Sequence, residues 1–93
     1  MENSNDKYFI ALSAQLKSIM EQKNIEVVDL AAAANIDRKQ IYRFINNENV
    51  PKITTLLRII LALGLEPKEF FDFKFDFISY SKEQNIAKIK PKE

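Results

Sequence analysis

The sequence contains no cysteine, no histidine and no tryptophan, and only one glycine. Without cysteine no disulfide can staple the chain, and without cysteine and histidine the usual zinc and iron ligand sets are missing. No metal or other cofactor is expected. The missing histidine also removes the commonest general base, so nucleophile-plus-base catalysis is poorly served and no enzymatic activity is expected. Carboxylates such as Glu66 and Glu69 are accounted for by capping and surface position. No apolar stretch approaches the length of a membrane span, and Met1-Glu2-Asn3-Ser4-Asn5-Asp6 is too acidic and polar for a signal peptide. The expectation is a cytoplasmic protein with no membrane partner. Net positive charge is small too. A net charge of +1 does not announce a nucleic-acid binder, so any basic footprint must come from where the cations lie.

What is present is an ordinary globular composition, 46% hydrophobic and 29% charged, over 93 residues: room for one domain and a short appendage. With one glycine and three prolines the chain has few breaks, and its apolar spacing is helical for most of its length. Phe9, Leu12, Leu16, Ile19 and Met20 fall by threes and fours between Lys7 and Lys23, predicting an amphipathic helix capped by Asp6. A short helix from Val27 to Ala34 follows, with Glu26 in the capping place and Leu30 and Ala31 inward. Asn35 ends it, being the non-glycine residue that best tolerates a left-handed backbone. Ile36 plugs the turn and Asp37 caps a third helix, Arg38 to Asn46, with Ile41, Phe44 and Ile45 inward. After a polar loop closed by Pro51, a fourth helix spans Ile53 to Leu63. Its expected buried stripe is Ile53, Leu56, Leu57, Ile60 and Leu63, and Gly64 stands just past its end. Glu66-Pro67 opens a fifth helix that ends near Asp72.

The middle of the chain carries the functional signal. Two short helices joined by a tight turn, with alanines Ala31 to Ala34 letting the second cross the first closely, suit entry of the second helix into the major groove of DNA. The first residues of that second helix are Arg38, Lys39 and Gln40, with Arg43 one turn later. Each is a donor suited to bases or phosphates. Taken alone, such a cluster is more often a solvated charged face. Tyr42, beside Arg43, reads as a sugar-phosphate contact or a packing residue.

Residues Glu26 to Phe71 resemble the Cro and phage-repressor-type (xenobiotic response element type) helix-turn-helix family. The resemblance rests on Asp29-Leu30-Ala31, Asn35-Ile36-Asp37-Arg38, Ile41-Tyr42-Arg43-Phe44, Asn46-Asn47, Pro51, Thr55-Leu56-Leu57-Arg58-Ile59 and Ala62-Leu63-Gly64-Leu65. It implies an all-α, five-helix repressor-like bundle and a sequence-specific transcriptional regulator that binds double-stranded DNA. It also implies that Arg38, Lys39 and Arg43 match base-reading positions, and that Gln40, Asn46, Asn47 and Lys52 match phosphate-holding ones. Three departures stand out. Asn35 and Asn47 occupy places where the family favours glycine. Val27 stands where many members have a phosphate-gripping glutamine, leaving a backbone N–H and the helix dipole. Met20 and Ile45 replace an arginine–glutamate pair, a change that avoids a stranded buried charge. The alternative reading is a protein-interaction module, such as an antitoxin that uses the same bundle mainly to bind a partner protein.

Beyond Asp72 the pattern alternates through Phe73-Lys74-Phe75-Asp76-Phe77-Ile78-Ser79-Tyr80, which predicts a short C-terminal β-strand extension. The division is therefore a helix-turn-helix DNA-binding domain over 7–72 and a strand and basic tail over 73–93. The strand could fold back as a hairpin with Asn85 to Lys90, or pair with its copy across a two-fold axis. The second is favoured, with Phe73, Phe75 and Phe77 as dimerisation residues, because a homodimer would read two half-sites roughly 34 Å apart.

If Met20 and Ile45 are core neighbours, Met20→Arg combined with Ile45→Glu should be tolerated far better, by denaturant midpoint, than either single change. Either single change, burying an unpaired charge, should cost about 3 kcal/mol or more. Equal damage from both singles and the double would show that the positions do not meet.

Overall fold

A computed structural model describes residues 5–92. They form six helices in chain order: α1 Lys7–Lys23, α2 Val27–Ala34, α3 Arg38–Ile45, α4 Ile53–Ala62, α5 Pro67–Phe70 and α6 Phe77–Glu83. The boundaries follow from capping chemistry. The Asp6 carboxylate accepts from the backbone N–H groups of Tyr8 and Phe9 at 2.8 and 3.1 Å, and Asp37 accepts from that of Lys39 at 2.9 Å. At the other ends the chain turns through left-handed residues: Asn24, Asn35, Asn47 and Asn85 have φ of 55 to 58°, and Gly64 has 80°. Asparagine thus does at four turns what glycine does at one.

The core is built from α1, α2, α3 and α4, with Phe70 of α5 closing it. Phe9 stacks on Phe44 with ring centroids 5.7 Å apart. Among the described residues the one buried polar side chain is Ser13, whose hydroxyl donates to the Phe44 carbonyl at 2.8 Å, with the Phe9 carbonyl 3.1 Å away. Gln15 ties α1 to α5 by donating to the Phe70 carbonyl at 3.0 Å.

Two expectations are corrected. On α4 the buried arc is Leu56, Ile59, Ile60 and Leu63, spaced by three, four and seven. Ile53 and Leu57, placed in the buried stripe by the sequence reading, are 75% and 43% exposed. The segment Ile-Thr-Thr-Leu-Leu-Arg-Ile-Ile-Leu-Ala is apolar on more than one side, so its period alone could not choose the inward arc.

The second correction concerns the C-terminal strand. Residues 73–76 are irregular, and α6 begins where the alternation was expected to continue. Asp76 caps α6, accepting from the Ser79 backbone N–H at 3.0 Å and from its hydroxyl at 2.7 Å. Phe73, Phe75 and Phe77 do not lie on a free strand. All three gather around Tyr8 of α1, with ring centroids 6.0, 4.9 and 5.6 Å away, and Tyr80 joins the cluster. The fold-back alternative therefore holds, but with a helix in place of a hairpin. These ring contacts lie within the protomer, although Phe77 stays 56% exposed.

Two polar contacts hold α6 against the start of α1. The Tyr80 hydroxyl donates to Asp6 Oδ2 at 2.6 Å, and Lys7 Nζ lies 2.7 Å from Glu83 Oε1. The second is solvent-exposed and contributes little. Burial alone would raise the pKa of the Asp6 carboxyl. Hydrogen bonds from Tyr80 and from the Phe9 and Tyr8 backbone outweigh that and hold it below the ordinary aspartate value. The bond to Asp6, with burial adding to it, raises the Tyr80 hydroxyl.

A lowered carboxyl pKa stabilises the fold above the unfolded value and ceases to as the pH falls through the folded one. A raised phenol pKa stabilises below the unfolded value and ceases to as the pH rises through the folded one. Tyr80→Phe should therefore lower stability by about 1 kcal/mol at neutral pH. The deficit should shrink below about pH 4 and above about pH 10. Urea midpoints across that range measure it, and identical midpoints at neutral pH would show that the contact carries nothing.

Candidate nucleic-acid interface

An eight-residue helix is too short to stand alone, so α3 depends on what it buries. Ile41 and Phe44 are fully buried, and this orients the rest of the helix. Arg38, Lys39, Gln40, Tyr42 and Arg43 are all exposed. Asn46, the residue that ends the helix, is exposed as well. Asn47 is half-buried in the following loop, and Lys52 is exposed at the start of α4. Asn47 differs from the other expected contact residues: it takes a φ of 58°, and its Oδ1 is buried without a hydrogen-bond partner. In the loop its N–H donates to the Phe44 carbonyl at 3.1 Å.

The turn before α3 is built as the sequence suggests. Asn35 is left-handed, the Ile36 N–H donates to the Ala31 carbonyl at 3.1 Å, and Ala31 and Ala34 are buried where the helices approach. Arg58 of α4, which the sequence reading assigned no role, donates from Nη1 to the Asn35 carbonyl at 3.4 Å. Its signal was available: it is the lone charge in α4. Electrostatically, α3 carries three cations and no acidic residue. Among the described residues the ion pairs are Lys7 with Glu83 and Lys68 with Glu66, so neither draws a cation from α3, and Lys52 is likewise outside them. The Asp37 carboxylate is engaged in capping.

Met20 and Ile45 border one depression of about 460 Å³ that also touches Val27 and Tyr42. Phe73, Phe75 and Phe77 lie with Tyr8 at the opening of α1 and take no place on α3. The sequence reading also missed an uncharged exposed face made by Ile53, Leu57 and Leu61 of α4 with Phe71. Among the described residues, no cluster of acidic side chains could hold a metal ion, and no helix is long and apolar enough to cross a membrane.

The family model for the Cro/C1-type HTH DNA-binding domain matches residues 15–76. No curated protein matches the chain. Among solved structures, the chain is similar to the restriction-modification controller protein C.AhdI from Aeromonas hydrophila. There the identity is 21% and the TM-score 0.64, over 68% of this chain and 96% of that one. It is also similar to a point mutant of the restriction-modification controller protein C.Esp1396I, at 26% identity and a TM-score of 0.67, over 91% of this chain and 96% of that one. With the turn, the buried pair of α3 and its cationic face in place, the chain belongs to the Cro/C1-type helix-turn-helix DNA-binding domain family.

Proposed function

We propose that the chain is a sequence-specific, non-enzymatic transcriptional regulator of the cytoplasm that reads the major groove of double-stranded DNA with α3, as a homodimer. The observation that carries this reading is the division of α3 into a fully buried pair, Ile41 and Phe44, and an exposed cationic remainder. Arg38, Lys39 and Arg43 are long donors suited to guanine edges. Gln40, Tyr42, Asn46 and Lys52 contact phosphates and sugars, fixing register without carrying sequence information. Asn47 shapes the loop that presents Asn46 and Lys52. The similarity to two controller proteins supports a regulator of restriction-modification genes as the biological setting.

The second copy belongs on the α4–α5 face, in place of the aromatic strand. Ile53, Leu57 and Leu61 form a stripe at i, i+4 and i+8, and Ile53 and Leu57 line a groove of about 250 Å³ with Pro67 and Phe71. The stripe bears no charge, and an uncharged face can meet its own copy across a two-fold axis without repulsion. The same face is what a partner-binding module would use. Salt dependence of DNA binding separates the two readings.

Arg38→Ala or Arg43→Ala should weaken binding to a DNA site obtained by in vitro selection by about 1–3 kcal/mol while leaving the melting temperature nearly unmoved. Normal binding by both variants would remove α3 from the reading. The log–log salt slope of wild-type binding should be about −4 or steeper for a dimer, and a slope near zero would favour the protein-interaction alternative. Leu57→Glu, at a position 43% exposed, should give a folded monomer by light scattering with at least about tenfold weaker affinity for a two-half-site DNA. A Leu57→Glu protein that stays dimeric would place the interface elsewhere.

A further inference from the structure

The family match ends at residue 76, and α6 with its trailing segment lies beyond it. This region carries a second apolar surface of a different character. Phe77 and Ile78 on α6 are 56% and 74% exposed, and Ile86, just past the helix, is 59% exposed. The chain reverses after α6 through left-handed Asn85, with the Ile86 N–H donating to the Ser81 carbonyl at 2.9 Å. That reversal sets Ile86 and Lys88 beside Phe77, Ile78 and Lys82, and together they border a groove of about 410 Å³.

Among the described residues, the charges that line this groove are positive. Lys82 and Lys88 line it, and Lys90 and Lys92 follow in an exposed tail. The nearby acids are engaged: Asp76 caps α6 through Ser79, and Glu83 pairs with Lys7. A second copy of the chain is a poor occupant, because a two-fold axis through this groove would set lysines against lysines. DNA alone would satisfy the lysines but leave Phe77, Ile78 and Ile86 in water. We infer that the groove between α6 and residues 86–88 docks an acidic amphipathic segment of another protein. In this arrangement apolar side chains lie on Phe77, Ile78 and Ile86, and flanking carboxylates meet Lys82 and Lys88. Like-signed repulsion against basic segments supplies the selectivity. The inference does not depend on α3 binding DNA.

The test uses the full chain and a fluorescein-labelled twelve-residue probe peptide. It carries Leu and Phe at helical spacing and Asp and Glu elsewhere, and its anisotropy is followed in low salt. Binding is expected. It should weaken about tenfold or more in Ile78→Ser/Ile86→Ser, in Lys82→Glu/Lys88→Glu, and when lysines replace the acids of the probe. Both double variants change only exposed side chains, and they should keep wild-type helicity and operator affinity. An absence of probe binding overturns the proposal, as does equal binding by wild type and both variants. A Lys82→Glu/Lys88→Glu protein that loses operator affinity while Ile78→Ser/Ile86→Ser keeps it would identify a DNA-contacting arm instead. Binding to anionic phospholipid vesicles in place of the probe would overturn the proposal in favour of a lipid surface.

Discussion

Burial of Ile41 and Phe44 is the constraint on which the rest of this structure depends. Helix α3 has only eight residues, and its charged, polar sequence would not hold a helix in water by itself. Two fully buried side chains, one stacked on Phe9, fix both its position and its rotation about its own axis. Ser13 adds a directional contact by donating to the Phe44 carbonyl, so α1 holds the C-terminal end of α3 by a hydrogen bond as well as by packing. The Asn35 turn holds the other end. Once those anchors are set, the outward direction of Arg38, Lys39, Gln40 and Arg43 follows without any contact of their own.

The same support runs outward to the C-terminus. Helix α1 positions Ser13 and Phe9, and its first turn is held by the Asp6 cap. Tyr80 of α6 donates to that same carboxylate, and Tyr8 beside it receives three phenylalanines from residues 73–77. The extension beyond the family-like core therefore reinforces the end of α1 remote in sequence from the turn into α2. It also leaves Phe77, Ile78 and Ile86 uncovered on its outer side.

Helices α1 to α5 were legible because capping acids, asparagines and the single glycine punctuate a chain with few other breaks. The cationic face of α3 was legible for a related reason: its apolar residues are few and well spaced, so one arc is plainly inward. Helix α4 shows the opposite case. Ile53, Leu57 and Leu61 compete with Leu56, Ile59, Ile60 and Leu63 for the inward position, and only packing against α2 and α5 decides it. Segment 73–80 failed for a different reason. Alternating aromatics describe a strand face, but they equally describe an irregular segment whose rings converge on one neighbour. Tyr8, the neighbour in question, lies some 70 residues away along the chain. Asp76 followed three residues later by Ser79 was the local signal for a helix start, and the alternation masked it. Arg58 illustrates the limit for single residues. Its charge marked it as exceptional on α4, but nothing local pointed to the Asn35 carbonyl.

Net charge misleads for this protein because the two signs are employed differently. Asp6, Asp37 and Asp76 spend their carboxylates on backbone N–H groups at helix starts, and Glu69 accepts from the Glu66 backbone at the start of α5. Glu83 and Glu66 lie against lysines. The capping acids stabilise helix N-termini, where the dipole favours negative charge. The cations of α3 have no such local employment and remain free, as do those of the C-terminal tail. A chain that sums to +1 can therefore present a concentrated positive surface, because the three cations of α3 share their helix with no acidic residue.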